Sequence, residues 1–279
     1  MILIADGGST KVDWSLVDNG KLIQRLFTAG INPFFRSADY INTQIRDVVA
    51  PTLKNYKIDT VYFYGAGCAF PEKNEIIQTA ITQNFDANIV TVGSDLLGAA
   101  IGLCGNNSGI ACILGTGSNS CSYDGSEIRE NVSPLGYILG DEGSGAVLGR
   151  LFIGACLKNR LTHEIKEKFL TTCQLNPSDI LDRVYRQPAP NLFLASIAPF
   201  IRDNINNPSV YDLVLMSFTD FFKKNVMQYD YKNNKVFFTG SIAFHFQDVL
   251  KQAAANLGIE IETIVQSPMD GLITHYSSI

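Results

Sequence analysis

The sequence predicts an α/β protein of two similar halves, each opening on a strand, a glycine-rich loop and a returning strand. Three observations predict it. Short apolar runs alternate with stretches of helical spacing along most of the chain. The pattern of residues 1–20 recurs at 110–125, beyond a linker-like Gly-Asn-Asn-Ser-Gly at 105–109. The loop after the first strand leads into another strand, whereas Rossmann and Walker loops run from strand into helix.

In order, residues 1–5 are an apolar strand, and DGGSTK at 6–11 supplies small residues, hydroxyls, one carboxylate and one ammonium. Val12, Trp14 and Leu16 alternate with Asp13, Ser15 and Val17, and Asp18-Asn19-Gly20 closes a hairpin. A third strand over 21–27 precedes a Gly/Asn-Pro loop at 28–33. Apolar spacing predicts a helix over 37–56, a strand at 59–64, a helix at 72–84, a strand at 88–92 and a helix at 96–103. The second half brings a strand at 110–114, the loop Gly115-Thr116-Gly117-Ser118-Asn119, alternation at 120–123 and a turn at Asp124-Gly125. Residues 127–139 read as extended chain with turns, and a helix opens after GDEGSG at 140–145 and runs to about 160. The stretch 162–230 reads as helical, broken at Pro177, Pro188, Pro190 and Pro208. A strand at 236–239, a Gly240-Ser241 corner, a helix at 244–257, a strand at 260–265 and a helix at 269–276 end the chain.

Composition narrows the function classes. A chain of 279 residues has room for two medium domains. At this size roughly 75% of the unfolded surface is buried, so the core needs no staples. With 46% hydrophobic and 18% charged residues it reads as globular. Its net charge of −5 is without a lysine or arginine cluster, so neither nucleic acid nor an anionic membrane is an expected partner. Apolar runs fall short of a membrane span, and the N-terminal strand lacks the basic region of a signal peptide, so a cytoplasmic location is expected. Six cysteines without a CxxC pair read as buried reduced thiols. Three scattered histidines argue against a His-based triad or metal cluster.

The chemistry concentrates in the glycine stretches. Glycines at 7–8 and at 115 and 117 let backbone N–H groups approach an anion. Ser9, Thr10 and Thr116 add hydroxyls and Lys11 a point charge. Two such loops on matching hairpins suit a triphosphate held from both sides. Asp6, ending a buried strand, reads as a turn cap or, given the loop beside it, a partner for Mg²⁺. Asp95 reads either as a helix cap, a task open to Ser94 as well, or as general base toward an acceptor hydroxyl. One of Asp141 and Glu142 is expected on substrate, and Gly240-Ser241 suits a backbone surface against an adenine ring. Trp14, Phe34 and Phe35 are expected in the core.

These stretches resemble the sugar kinase/Hsp70/actin ATPase superfamily, and within it the BadF/BadG/BcrA/BcrD-type group that includes N-acetylglucosamine kinases. DGGSTK at 6–11 resembles the first phosphate motif, LGTGSN at 114–119 the second, and TGSIA at 239–243 the adenosine motif. GSD at 93–95 resembles the strand end that carries the catalytic aspartate, and GDEGS at 140–144 is the most family-specific string. Tyr137 and Cys68 depart from the pattern, standing where a tryptophan and a small hydroxyl residue are expected.

The resemblance implies two RNase H-like (actin-like ATPase) domains, each on a central mixed sheet, with an interdomain cleft. The boundaries fall at 1–104 and 105–279, with a helical insertion in the second and the last helix available to pack back on the first. It implies a kinase passing the γ-phosphate of ATP, with Mg²⁺, to an amino sugar, foremost the 6-hydroxyl of N-acetylglucosamine. Asp95 is then the general base and Asp6 the metal residue. Gly8, Ser9, Thr10, Lys11, Gly115, Thr116, Gly117, Gly240 and Ser241 bind nucleotide. Asn32, Gly67, Ser118, Asn119, Gly136 and Asp141 line the sugar pocket. The helical 162–230 region is the candidate surface of a homodimer. The alternatives are an ATPase that activates a 2-hydroxyacyl-CoA dehydratase or benzoyl-CoA reductase through an iron–sulfur cluster, and a non-catalytic sugar sensor.

Overall fold

The computed structural model describes residues 1–8 and 10–278, and the chain in it divides into two units. The first holds Met1–Ser108, Tyr123–Ile128 and the C-terminal segment from Ser267; the second holds Gly109–Ser122 and Arg129–Gln266.

The first unit is built on strands β1 (Ile2–Gly7), β2 (Lys11–Asp18), β3 (Lys21–Ala29), β4 (Thr60–Gly65) and β5 (Ile89–Ser94), in the order β3-β2-β1-β4-β5. β1 pairs antiparallel with β2, which pairs antiparallel with β3, while β4 and β5 add parallel to β1. The alternation at 11–18 predicts one wet face on β2, yet Val12–Val17 is buried on both. Trp14 is fully enclosed, tilted on Phe63 at 5.7 Å, and its indole N–H donates to Thr28 Oγ1 at 3.1 Å.

The helix expected over 37–56 is interrupted. It runs as Ala38–Gln44, a π-helical turn Ile45–Val49, and Ala50–Leu53. Pro51 has no N–H to return to the carbonyl of Asp47, and the Ala50 N–H reaches back five residues to Ile45. Phe34 and Phe35, expected in the core, are 51% and 78% exposed. They follow Asn32-Pro33 in a turn with no sheet face beneath it; Phe34 instead meets Phe70 edge-on at 6.0 Å with the Lys73 ammonium 4.9 Å above its ring.

The second unit repeats the arrangement with β6 (Gly109–Leu114), β7 (Ser118–Tyr123), β8 (Ile128–Glu130), β9 (Val236–Thr239) and β10 (Ile261–Val265), in the order β10-β9-β6-β7-β8. β9 lies parallel to both β6 and β10. The internal repeat read from the sequence is thus a repeat of sheet topology. Extended chain was expected over 127–139; it includes β8 and a short helix, Gly136–Leu139. The prolines of the helical stretch begin helices: Pro177, Pro190 and Pro208 each open one, in the first turn, where the missing N–H has no intrahelical partner to lose. The helix expected at 244–257 is two, Ser241–His245 and Gln247–Ala255, because Phe246 leaves helical geometry to bury its ring. Five of the six free cysteines are buried and Cys173 is half-buried. Among the described residues no helix is long and apolar enough to cross a membrane.

Candidate active site

In the first unit the parallel strands deliver their C-terminal ends to one sheet edge. Asp6 pairs in register with Tyr64 and Tyr64 with Gly93, so Asp6 and the GSD end of β5 lie two strands apart, about 10 Å. Ser94 caps the helix Asp95–Cys104, accepting the Leu97 N–H at 3.1 Å. The capping task is therefore filled, and the Asp95 carboxylate, which accepts its neighbour Leu96's N–H at 2.9 Å, is left for other chemistry. Burial pushes Asp95 up to about 6. Burial, then the charges of Asp95 and Asp13, push Asp6 up to about 7 against a hydrogen bond from Ser267.

Asp13 stands opposite Asp6 across the hairpin and is held by Arg25, whose Nε and Nη2 donate to its two oxygens at 2.9 and 2.5 Å. Asp6 itself has no basic partner among the described residues' ion pairs. Its single carboxylate, hard oxygen donor and cost of ionisation fit Mg²⁺, which binds through one or two carboxylates and keeps its other ligands as water or phosphate. No group of three or more His, Cys, Asp and Glu side chains able to hold a metal occurs among the described residues.

Around the same sheet edge, Gly67 sits at φ +85°, and any side chain there would overlap Asn32 Oδ1. That oxygen already accepts the Phe34 N–H at 2.9 Å, which orients the Asn32 amide. Cys68, in the place of a hydroxyl residue, is buried, and its thiol is pushed up to about 12, so it stays protonated filler. Gly8 and Thr10 are exposed, and Lys11 lays its ammonium over the Phe27 ring at 4.9 Å. Ser9 lies outside the described residues.

In the second unit, the loop between β6 and β7 turns its carbonyls inward. Gly115 and Thr116 accept the N–H groups of Gly145 and Ala146 at 2.8 and 3.1 Å, which satisfies the first turn of the helix Gly145–Leu157. The Thr116 and Gly117 N–H groups have no protein acceptor among the described residues' hydrogen bonds, the geometry an anion-binding loop needs. Gly240, at φ +110°, packs where a Cβ would overlap the Leu114 carbonyl, which brings the β9 corner against the end of β6. A cavity of about 300 Å³ opens between these pieces, lined by Gly115, Thr116, Gly145, Ser241 and Ile242. Its other walls hold Ser196, Arg202 and His245, which the sequence reading did not single out. Ser196 lies in the turn after Pro190–Ala195, Arg202 in the helix Ala198–Asp203 and His245 at the end of Ser241–His245, all far from the loop in sequence.

Asp141 takes a left-handed backbone (φ +53°), and its Oδ1 accepts the Ser118 N–H at 3.3 Å beside Gly117. Burial pushes it up to about 6. Glu142 is paired with Lys224 at 3.2 Å, so of the two acids Asp141 is the one open to a ligand. The Asn119 carbonyl accepts the Ser120 N–H and the Asn131 amide, both at 2.9 Å, leaving its own NH₂ to donate. Asn131 is thus a supporting residue that the sequence signals only by lying near Gly136. Gly136 is exposed, with open space where a Cβ would lie.

The paired five-strand sheets and their glycine corners define an actin-like, two-unit α/β fold. A search of solved structures returns the "Putative N-acetylglucosamine Kinase" of Porphyromonas gingivalis, 48% identical over 100% of this chain and 99% of that one, with a TM-score of 0.97. The chain belongs to the family of that protein. A second "Putative N-acetylglucosamine Kinase", from Chromobacterium violaceum, is 16% identical over 98% of both chains with a TM-score of 0.77. A ROK family glucokinase from Streptomyces griseus, solved with glucose and AMPPNP, is 15% identical over 98% of this chain and 97% of that one, with a TM-score of 0.58. These two share the fold. No protein-family model matches the chain, and no curated protein does.

Proposed function

We propose that the protein is an ATP-dependent sugar kinase that passes the γ-phosphoryl group to a hydroxyl of an amino sugar, with the 6-hydroxyl of N-acetylglucosamine as acceptor. Supporting this is the family relationship to the P. gingivalis protein at 48% identity. The observation that carries the chemistry is Asp95, released from capping by Ser94 and raised toward neutrality by burial. A carboxylate titrating near 6 is ionised at neutral pH yet basic enough to accept a proton. It takes the hydroxyl proton as the acceptor oxygen bonds to the γ-phosphorus and the bond to the ADP oxygen breaks; the proton then passes to solvent. General-base assistance of about 10²–10⁴-fold corresponds to roughly 3–5 kcal/mol of barrier. The rest is positioning and electrostatics.

The free N–H groups of Thr116 and Gly117 serve the phosphates, and the Gly240-Ser241 corner with the adjoining 300 Å³ cavity serves the nucleoside. Asp6 holds Mg²⁺, which neutralises phosphate charge when bound. Asn32 and Asn119, each with its carbonyl already engaged, offer NH₂ donors, and Asp141 an acceptor, to the sugar hydroxyls. An electron-transfer activator is not supported: Cys121 and Cys156 are buried and offer no thiolates at a surface. The test is ADP release with Mg²⁺·ATP over a panel of N-acetylglucosamine, N-acetylmannosamine, glucosamine and glucose. Turnover greatest with N-acetylglucosamine is expected. Calorimetric sugar binding with no turnover would make the protein a sensor, and silence in both measurements would remove the substrate class.

A further inference from the structure

Ser267 stands between β10 and the last helix, Met269–Tyr276, and its hydroxyl bridges two elements of the first unit. It donates to Asp6 Oδ2 at 3.3 Å and accepts the Met269 N–H at 3.3 Å. A serine hydroxyl has one proton to give, so a lone pair engaged by the helix N–H leaves that proton aimed at the carboxylate. This is the one side-chain donor to Asp6 among the described residues, and Asp6 Oδ1 is left without a protein partner among them.

The platform that carries Ser267 is firmly seated. Tyr276 stacks on Tyr62 with centroids 3.7 Å apart, and its hydroxyl is hydrogen-bonded to that of Tyr64. One turn earlier the helix crosses Asp95–Cys104 so closely that a Cβ on Gly271 would overlap the Gly102 carbonyl, and one on Gly102 would meet the Pro268 carbonyl at 2.6 Å. A hydroxyl on so fixed a backbone cannot follow a wandering carboxylate; the carboxylate must hold to it.

We propose that Ser267 is a positioning residue: through its hydrogen bond to Oδ2 it fixes the Asp6 carboxylate so that Oδ1 faces the metal of a metal–nucleotide complex. This rests on the assignment of Asp6 to the metal, made above. Partners of this outer kind are worth about 10–100-fold in metal affinity or activity. At 3.3 Å the hydrogen bond is a long one, so the lower figure applies.

The test is calorimetric, on the whole protein. The dissociation constant of AMPPNP is measured with excess Mn²⁺ and with EDTA, and their ratio reports what the metal adds to binding. Ser267→Ala is expected to cut that ratio about 10-fold while leaving the metal-free constant unchanged, and Ser267→Thr, which keeps the hydroxyl, to restore it. Tyr276→Phe loosens the helix without touching Asp6 and is expected to lower Tm with the ratio intact. An unchanged ratio in Ser267→Ala, or an equal loss in Tyr276→Phe, overturns the positioning role. Asp6→Asn separates the two levels. If it collapses the ratio while Ser267→Ala does not, only the positioning fails; if it leaves the ratio intact, the metal assignment fails and the positioning with it.

Discussion

Replacing Asp95 by Asn should make the protein more stable and less active at once, and by amounts that depend on pH. The side chains are isosteric, and the Asn carbonyl can still accept the Leu96 N–H made at 2.9 Å in the native protein. What goes is a carboxylate whose ionisation the fold opposes, raised from 3.8 to about 6. A carboxylate raised in the folded state favours folding most when both states are protonated, and loses that advantage as pH rises through the folded value. At 1.36 kcal/mol per pH unit, the native protein carries about 3 kcal/mol of cost at pH 8 but only about 1 kcal/mol at pH 4.5. The stability gap between Asp95→Asn and the native protein should therefore widen by about 2 kcal/mol between those pH values. Loss of the Asp95 charge also lets Asp6 fall from about 7, which adds in the same direction above neutrality. At roughly 2–4 °C per kcal/mol, thermal unfolding should show the gap growing by several degrees. In parallel kcat should drop by about 10²–10⁴-fold, and the acid limb of the native pH–rate profile should lie at an apparent value of about 6, set by Asp95. A Tm difference that stays flat with pH would refute the burial argument, and undiminished kcat would refute the base.

Three other perturbations test other parts. Asp141→Asn keeps an acceptor for the Ser118 N–H and suits the left-handed backbone, so Tm should hold or rise above pH 6 while KM for the sugar increases about 10-fold or more; steady-state kinetics with melting curves decide it. Arg25→Met leaves Asp13 buried without its partner and should cost about 3 kcal/mol in chemical denaturation, the low end for breaking such a pair because Arg25 is partly exposed. Gly271→Ala drives a methyl group into the Gly102 carbonyl and should destabilise by about 3 kcal/mol or more, read as a fall in Tm that Gly271→Ser would match or exceed.

The parts legible in the sequence were those fixed by local chemistry. Period-two alternation located β2, glycine-flanked apolar runs located β1 and β6, and the Asn19-Gly20 turn closed the first hairpin. Helix starts were harder: Pro177, Pro190 and Pro208 read equally as breakers or as openers, and only packing decides between them. Phe34 and Phe35 were misplaced because hydrophobicity alone says nothing about whether a turn has a sheet beneath it. Within the candidate site, the glycine corners and carboxylates carried their own signals. Arg25, Ser267, Asn131, Arg202 and His245 did not, since each matters through a neighbour 12 or more residues away.

The first unit takes its backing helix from the far end of the chain, and this has a consequence for how the protein is made. Residues 1–108 leave the ribosome carrying β1 to β5, but Ser267 and the helix that seats on Tyr62, Tyr64 and Gly102 follow roughly 160 residues later. At about 5–20 residues per second that is a wait of roughly 8–30 s. In that interval the whole of the second unit, Gly109–Ser122 and Arg129–Gln266, is synthesised, so the later-starting unit is the first to have all its parts. The Asp6 carboxylate acquires its hydroxyl partner only once Ser267 has been made, and a chain cut short before residue 267 never acquires it.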